Sequence, residues 1–473
     1  MSRLRSRLTP RLVLALFALV LSASVVAFSA TTSGTSTSLR TELGTTDQQT
    51  AVRTSREVST LPLRSTCTVD PVKELFITDV SVVDDCLRTT WGPCIGTPVA
   101  PATQGAWTFG ARIASIAGTT NAATLSTFTI NWLNQWAVAQ TINGDTVPAR
   151  PNVQTLIIDP WLAASGSKTT LDMKKAPFRL LAIVARLDLR ENAGYSGGSS
   201  AGEGRFIYDL LDANGNTTNF LVIFEYGLDA ADCNAVLKWA NAWHGLGAFS
   251  FGPSYNAALQ SVTDGFATIG ASPGKLNGSA INQVRTNDFH LLRLWELREF
   301  KLSALTVSGS PSPLVQATVA QTPARSRHQT TAVSTFVNAN ETAILAHQHI
   351  VPLSWAGAPF KGGAAPHNLD LGWDGPTPIC TTITNPQARH AFSLDTCSGC
   401  HGLETATGFL QVRPRPAGSP SGLSGFLTGT TATDLCNLAH NFNDIDRRRV
   451  DLCQLLDKTC TQIDAEPAIT FVH

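Results

Sequence analysis

The chain has 473 residues with 35 basic and 35 acidic side chains and therefore no net charge, which excludes the strongly basic footprint of a nucleic-acid binder. Only 15% of residues are charged against 43% hydrophobic, enough apolar material for a large buried core and, at this length, for two or three domains. Its ten Cys point to an oxidising compartment.

At the N-terminus, Arg3, Arg5, Arg7 and Arg11 precede an apolar run from Leu12 to Leu21 that continues to Ala30. This is the pattern of a signal peptide over residues 1–30, with Ala27 and Ala30 as cleavage points. Its removal takes four Arg and no acidic residue, leaving 31 basic against 35 acidic side chains. The expected location is periplasmic or secreted, with no stable membrane span after cleavage. Residues 31–60 are Ser/Thr-rich with almost no large apolar side chain and read as a linker.

The body is expected to begin near Leu61. Leu125, Phe128, Trp132, Trp136 and Ala139 recur on one helical face and predict a helix over 125–139. Phe178 to Leu189, Phe206 to Leu211 and Phe220 to Tyr226 read as strands, the last two joined by the turn Asp212-Ala213-Asn214-Gly215-Asn216. Helical patterns follow at Cys233 to Trp243 and Tyr255 to Phe266, strands at Leu291 to Leu302 and Leu314 to Val319, and a helix over Val333 to Leu345. This mixed order predicts an α+β domain over 61–350, a mixed or antiparallel sheet with helices. The glycine-rich stretch from Gly194 to Arg205 lacks the Gly-Lys-Ser/Thr ending of a phosphate loop and leads into a strand, so it reads as a connection, with Glu203 and Arg205 as a local ion pair. His347 and His349 form an H-x-H pair, too few ligands to define a metal site. Pro, Gly and Trp residues mark 351–384 as a connector.

Residues 385–473 carry the sharpest signal. Asn385-Pro386 is an N-cap and first-turn pair for a helix that runs into Cys397-Ser398-Gly399-Cys400-His401, the C-x-x-C-H signature of covalent haem attachment. Two residues between the thiols put both sulfurs along one edge of a macrocycle and leave the next side chain beneath the iron. A zinc site would need a second Cys/His pair at similar spacing, and none is present. With Cys397 and Cys400 committed to haem, eight Cys remain for four disulfides, and Cys86 with Cys94 and Cys453 with Cys460 are close enough in sequence to pair. A loop with Pro414 and Pro416 and a final helix from about Asn443 to Leu456 complete the segment.

This order resembles a small class I cytochrome c over residues 385–473. The resemblance implies an all-α haem domain, Cys397 and Cys400 as thioether positions and His401 as the proximal iron ligand. Such cytochromes carry a distal Met before the terminal helix, whereas the Met here are Met1 and Met173. His440 occupies the equivalent stretch, and His390, seven residues before Cys397, competes with it. Ala176-Pro-Phe-Arg-Leu-Leu-Ala-Ile-Val and Ala201-Gly-Glu-Gly-Arg-Phe, together with the C-x-x-C-H block, resemble an uncharacterised family of exported myxobacterial proteins.

The expected function is that of an exported protein with one covalent haem c that transfers single electrons to a redox partner, its N-terminal region binding a partner or ligand. A haem-dependent peroxidase or oxygenase with an open iron site, and a secreted disulfide-stabilised binding protein without haem, are the alternatives.

Overall fold

The computed structural model describes residues 56–57, 67–94, 105–191, 200–304, 309–366, 372–467 and 469–470. The expected signal peptide, its cleavage points and nearly all of the linker lie outside the described residues. Eight antiparallel strands form the central sheet: β1 Phe76–Ile77, β2 Phe178–Arg186, β3 Ser200–Leu211, β4 Thr217–Asp229, β5 Ile281–Asp288, β6 Glu296–Leu302, β7 Leu314–Ala317 and β8 Ala365–Pro366. They lie in the order β1-β2-β3-β4-β5-β6, with β7 and β8 sharing the outer edge of β6. The β3–β4 hairpin closes where expected. Asp212 Oδ1 accepts from the amides of Asn214 and Asn216 at 2.8 Å each, and Gly215 takes φ +80°, a conformation that favours glycine.

Strand alternation gives the sheet two unlike faces. Phe206, Tyr208, Phe220, Phe224, Tyr226 and Phe300 point to one side, into the main core. That core is covered by α1 Phe109–Ala117, α2 Ala122–Ala137, α3 Cys233–His244 and α4 Pro253–Ala267. Trp132 and Trp136 are buried core side chains, both against Phe300. The helix expected from Leu125 begins a turn earlier, because the Asn121 side chain accepts from the Thr124 amide at 3.0 Å and caps it.

Elsewhere lie α5 Thr331–Ala339, α6 Pro386–Leu394 and α7 Cys397–Cys400, with a hairpin of β9 Thr430–Thr433 and β10 Ala439–Phe442, while α8 Asp444–Leu456 inserts Leu452, Cys453 and Leu455 into the main core. The α+β character of the chain is as expected, but residues 385–473 are not an all-α block. They contain the β9–β10 hairpin, and Phe426, Phe442 and Leu427 share a core with Phe76, Val184 and Ile207 of the sheet. Arg415 adds a polar tie, donating to the Leu180 carbonyl at 2.9 Å and to Asp84 at 2.7 and 2.9 Å. The stretch read as a connector contributes Val351, Phe360, Trp373 and Ile383 to a third core with α5 and α6. Residues 46–473 form one unit.

The eight cysteines outside the C-x-x-C-H motif form four disulfides. Cys86–Cys94 pairs as expected, whereas Cys453 joins Cys67 and Cys460 joins Cys233. Cys453 sits on the inward side of α8, fully buried, while Cys460 opens the next short helix facing the first turn of α3. Nearness in sequence therefore leaves those two thiols on different walls. Cys380–Cys436 ties the third core to the β9–β10 turn. Disulfides of this number fit an exported protein, and no helix of the described residues is long and apolar enough to cross a membrane.

Because Cys67–Cys453 closes a loop of 386 residues, its removal frees much unfolded-state entropy. Cys67→Ser with Cys453→Ser is expected to cost about 2–5 kcal/mol in urea denaturation, more than loss of Cys86–Cys94, which spans 8 residues.

Candidate functional site

The C-x-x-C-H turn is built by the end of α6. Asn385 accepts from the Gln387 amide at 2.9 Å to start that helix, Asp395 ends it, and Thr396 Oγ1 accepts from the Gly399 amide at 2.9 Å to start α7 at once. Gly399 cannot be replaced there, since a Cβ would stand 2.0 Å from the Ser393 carbonyl oxygen. Trp373 Nε1 donates to Ser398 Oγ at 2.9 Å, and the Cys397 amide to Thr322 Oγ1 at 3.0 Å. Cys397 and Cys400 are buried, reduced thiols, pushed by burial up to about 12 and about 11.

His401 is buried, and burial pulls its imidazole down to about 4. At neutral pH the ring is therefore uncharged. Its Nδ1 lies 2.6 Å from the Phe409 carbonyl oxygen, which selects the tautomer with the proton on Nδ1 and the lone pair on Nε2. This is the orientation that a metal-binding imidazole needs. Trp295 stacks on the same ring with centroids 5.4 Å apart.

His401 lines a cavity of about 70 Å³ between α7 and the second face of the sheet. The strand register assembles its other wall. Val184, Arg205 and Glu225 lie opposite one another across β2, β3 and β4, while Ile207, Ile223 and Arg285 form the next row. Gln411, Val412, Phe426 and Leu427 close it from the C-terminal segment. Arg186 and Arg448 sit at one end. Burial, and Arg186 nearby, pull the Arg448 guanidinium down to about 9 despite Asp444 and Asp188. Arg186 and Arg447 pair with Asp188, and Arg447 and Arg448 with Asp444. On the sheet wall, burial raises Glu225 despite Arg205 and Arg285, whereas at Glu299, outside the cavity on β6, Lys301 and Arg285 outweigh burial and hold the carboxyl at about 2.

A second cluster backs α7. Arg56 reaches Asp395 at 3.4 Å and Cys400 Sγ at 3.6 Å, and His347 Nδ1 lies 2.7 Å from Asp395. Burial pushes Asp395 up, but His347, His349 and Arg56 together outweigh it and hold the carboxyl below its ordinary range. His347 has φ +51° in a turn, so the H-x-H pair is not extended backbone.

The structure places His440 elsewhere. It lies on β10, its ring stacked on His390 of α6 with centroids 3.4 Å apart and planes within 2°. Its Nδ1 is 2.9 Å from Glu57 and its Nε2 3.4 Å from Asp434. Neither His440 nor His390 lines the cavity that His401 lines.

No protein-family model, curated protein or solved structure matches this chain. The chemistry of the side chains therefore has to carry the reading. The ion pair expected of Glu203 and Arg205 forms at 2.7 Å, but on strand β3 rather than in a connection; the charged cavity wall is what sequence reasoning missed, and its trace is the alternation Glu203-x-Arg205-x-Ile207-x-Asp209.

His349 supplies a pH test. Both its ring nitrogens are buried without a hydrogen-bond partner, and burial pulls it down to about 4. The unfolded chain takes up its proton near pH 6.5 and the native state only near pH 4, so His349 removes stability as the pH falls through that window. His349→Gln is expected to flatten the acid limb of stability against pH between 6.5 and 4 by about 3 kcal/mol, read from urea midpoints.

Proposed function

We propose that this is an exported c-type haem protein, with Cys397 and Cys400 forming thioethers and His401 the proximal iron ligand. The observation that carries this reading is the contrast between the cysteines. Eight are oxidised in disulfides, while the remaining two stay reduced beside a neutral His whose Nδ1 is tied to a carbonyl. In an oxidising compartment a vicinal thiol pair persists when a cofactor occupies it.

The donor chemistry suits a haem. The guanidinium groups of Arg186 and Arg448 suit propionates, and the Phe76, Ile207, Leu221 and Ile223 side chains suit the porphyrin face. A cavity of about 70 Å³ is smaller than the roughly 300 Å³ or more that a cofactor of this class fills, so the C-terminal segment has to open to admit the macrocycle. The haem, when bound, supplies one-electron chemistry at its iron.

Coordination separates an electron carrier from a haem enzyme. His401 is the sole His, Met or Cys among the cavity's lining residues, so a haem held against this wall would draw its protein ligand from His401, whereas His440 stands in a separate cluster with His390. Excluding water and anchoring the propionates then fall to the sheet wall, and peroxidase- or oxygenase-type chemistry becomes the better of the two readings.

Co-expressed with a cytochrome c maturation system, the protein is expected to hold one haem that stays attached on denaturation, seen in intact mass and in the absorption spectrum. Cys397→Ser with Cys400→Ser should abolish it, and complete loss of haem colour from denatured wild type would refute covalent attachment. The ferric form should be high-spin and the ferrous form should bind carbon monoxide. A low-spin spectrum that His440→Ala converts to high-spin would instead restore His440 as the distal ligand and the carrier reading.

A further inference from the structure

We propose that Glu57, His390 and His440 form a two-His, one-carboxylate site for a divalent transition metal, separate from the C-x-x-C-H turn. Their donor atoms lie within 4.8 Å of one another. Ligands at 2.0–2.1 Å around one tetrahedral ion stand about 3.3 Å apart, and an ion lies near the plane of each imidazole that binds it, so the two parallel rings have to swing out of their stack for the three donors to meet one ion.

The carboxylates behind the rings hold them as metal ligands are held. His390 Nδ1 lies 2.6 Å from Glu404 Oε2, which leaves Nε2 for the ion. That Nε2 is buried and has no hydrogen-bond partner, with Glu57 Oε1 at 3.9 Å, beyond hydrogen-bond reach. His440 Nε2 faces Asp434 Oδ2 at 3.4 Å, which leaves Nδ1 for the ion, toward Glu57 Oε1 at 2.9 Å. A ligating His characteristically donates its other ring N–H to a carboxylate in this way. Both rear carboxylates are fixed by Arg389, which meets Glu404 at 2.7 and 3.0 Å and Asp434 at 2.7 Å.

Three carboxylates, Glu57, Glu404 and Asp434, stand against the two rings, and Arg389 pairs with the two rear ones. Imidazole with carboxylate suits Zn²⁺ or Fe²⁺ better than Ca²⁺ or Mg²⁺, which take all-oxygen shells. The Glu57 side chain is 40% exposed while both His are nearly fully buried. Solvent therefore reaches the ion from the Glu57 side, and a water completes its coordination, as in catalytic rather than closed structural sites.

The test is equilibrium dialysis of the chelator-treated full chain against Zn²⁺ with metal analysis, and titration with Co²⁺ followed by its visible absorption. The Cys397→Ser, Cys400→Ser protein is used alongside wild type, so that neither haem nor the thiols contribute metal and the outcome is independent of the haem reading. One Zn²⁺ per chain is expected in both. Affinity should fall about 100-fold or more in Glu57→Gln and His440→Ala, and 10- to 100-fold in Glu404→Gln. Glu57→Gln, at a half-exposed position, keeps the test valid should the His variants fold poorly. No stoichiometric uptake at micromolar Zn²⁺, or uptake unchanged in Glu57→Gln and His440→Ala, would overturn the proposal.

Discussion

Burying the charged face of the sheet is the constraint on which the rest of the architecture depends. Arg186, Arg205, Glu225, Arg285 and Glu299 lie within an antiparallel sheet whose other face is already filled with aromatic side chains. Each uncompensated ion in such a place costs several kcal/mol, and the face is neutralised largely within itself, Arg205 pairing with Glu203 and Glu225 and Arg285 with Glu225 and Glu299. The C-terminal segment covers it with Phe426, Leu427 and Phe442 and adds ion pairs just past the end of β2. Arg447 reaches Asp188 at 2.7 Å, and Arg190 forms paired bonds to Asp451 at 2.6 and 2.9 Å and to Glu466 at 2.7 and 2.8 Å. Residues 385–473 thus belong to the same folding unit as the sheet they cover.

This explains which parts of the fold were legible in the sequence. Features decided locally were readable: the Asp212–Asn216 turn, the Asn385-Pro386 start of α6, and the Asn443 cap of α8, where the side chain accepts from the Asp446 amide at 3.2 Å. Features decided by what packs above the sheet were not. With both faces buried, β3 and β4 lose the polar-apolar contrast of a half-exposed strand, so Glu225 vanishes into an apolar run, and Glu203 and Arg205, legible as an ion pair, were not legible as part of a strand. Val333 to Leu345 read as one helix, yet Asn340 has φ −117° and splits it into α5 and a separate turn, Glu341–Leu345. The pentapeptide was legible because its chemistry is confined to five consecutive residues. The partnership of His390 with His440 depends on the β9–β10 hairpin, which nothing in the local pattern announced.

The two clusters nevertheless share their supports. Helix α6 carries His390 in its second turn and delivers Cys397 just past its end, so the C-x-x-C-H turn and the imidazole pair ride on one short rigid rod. The consecutive residues Arg56 and Glu57 touch both clusters, Arg56 at Asp395 and Cys400, Glu57 at His440. That dipeptide and α6 are thus the shared supports of the two clusters.

The long-range disulfides bear on the order of assembly. Cys67 and Cys233 find their partners at Cys453 and Cys460, and a ribosome makes the partners last. Until they emerge, the charged sheet face has no cover and Cys397 and Cys400 stand in water, where a thiol ionises near pH 8.5. Once the cover closes, the same thiols are inaccessible and protonated up to about 12 and about 11. Chemistry at these two sulfurs thus has a deadline: in an exported chain it belongs to the interval after export and before closure, and the last disulfides seal whatever state the pair has reached.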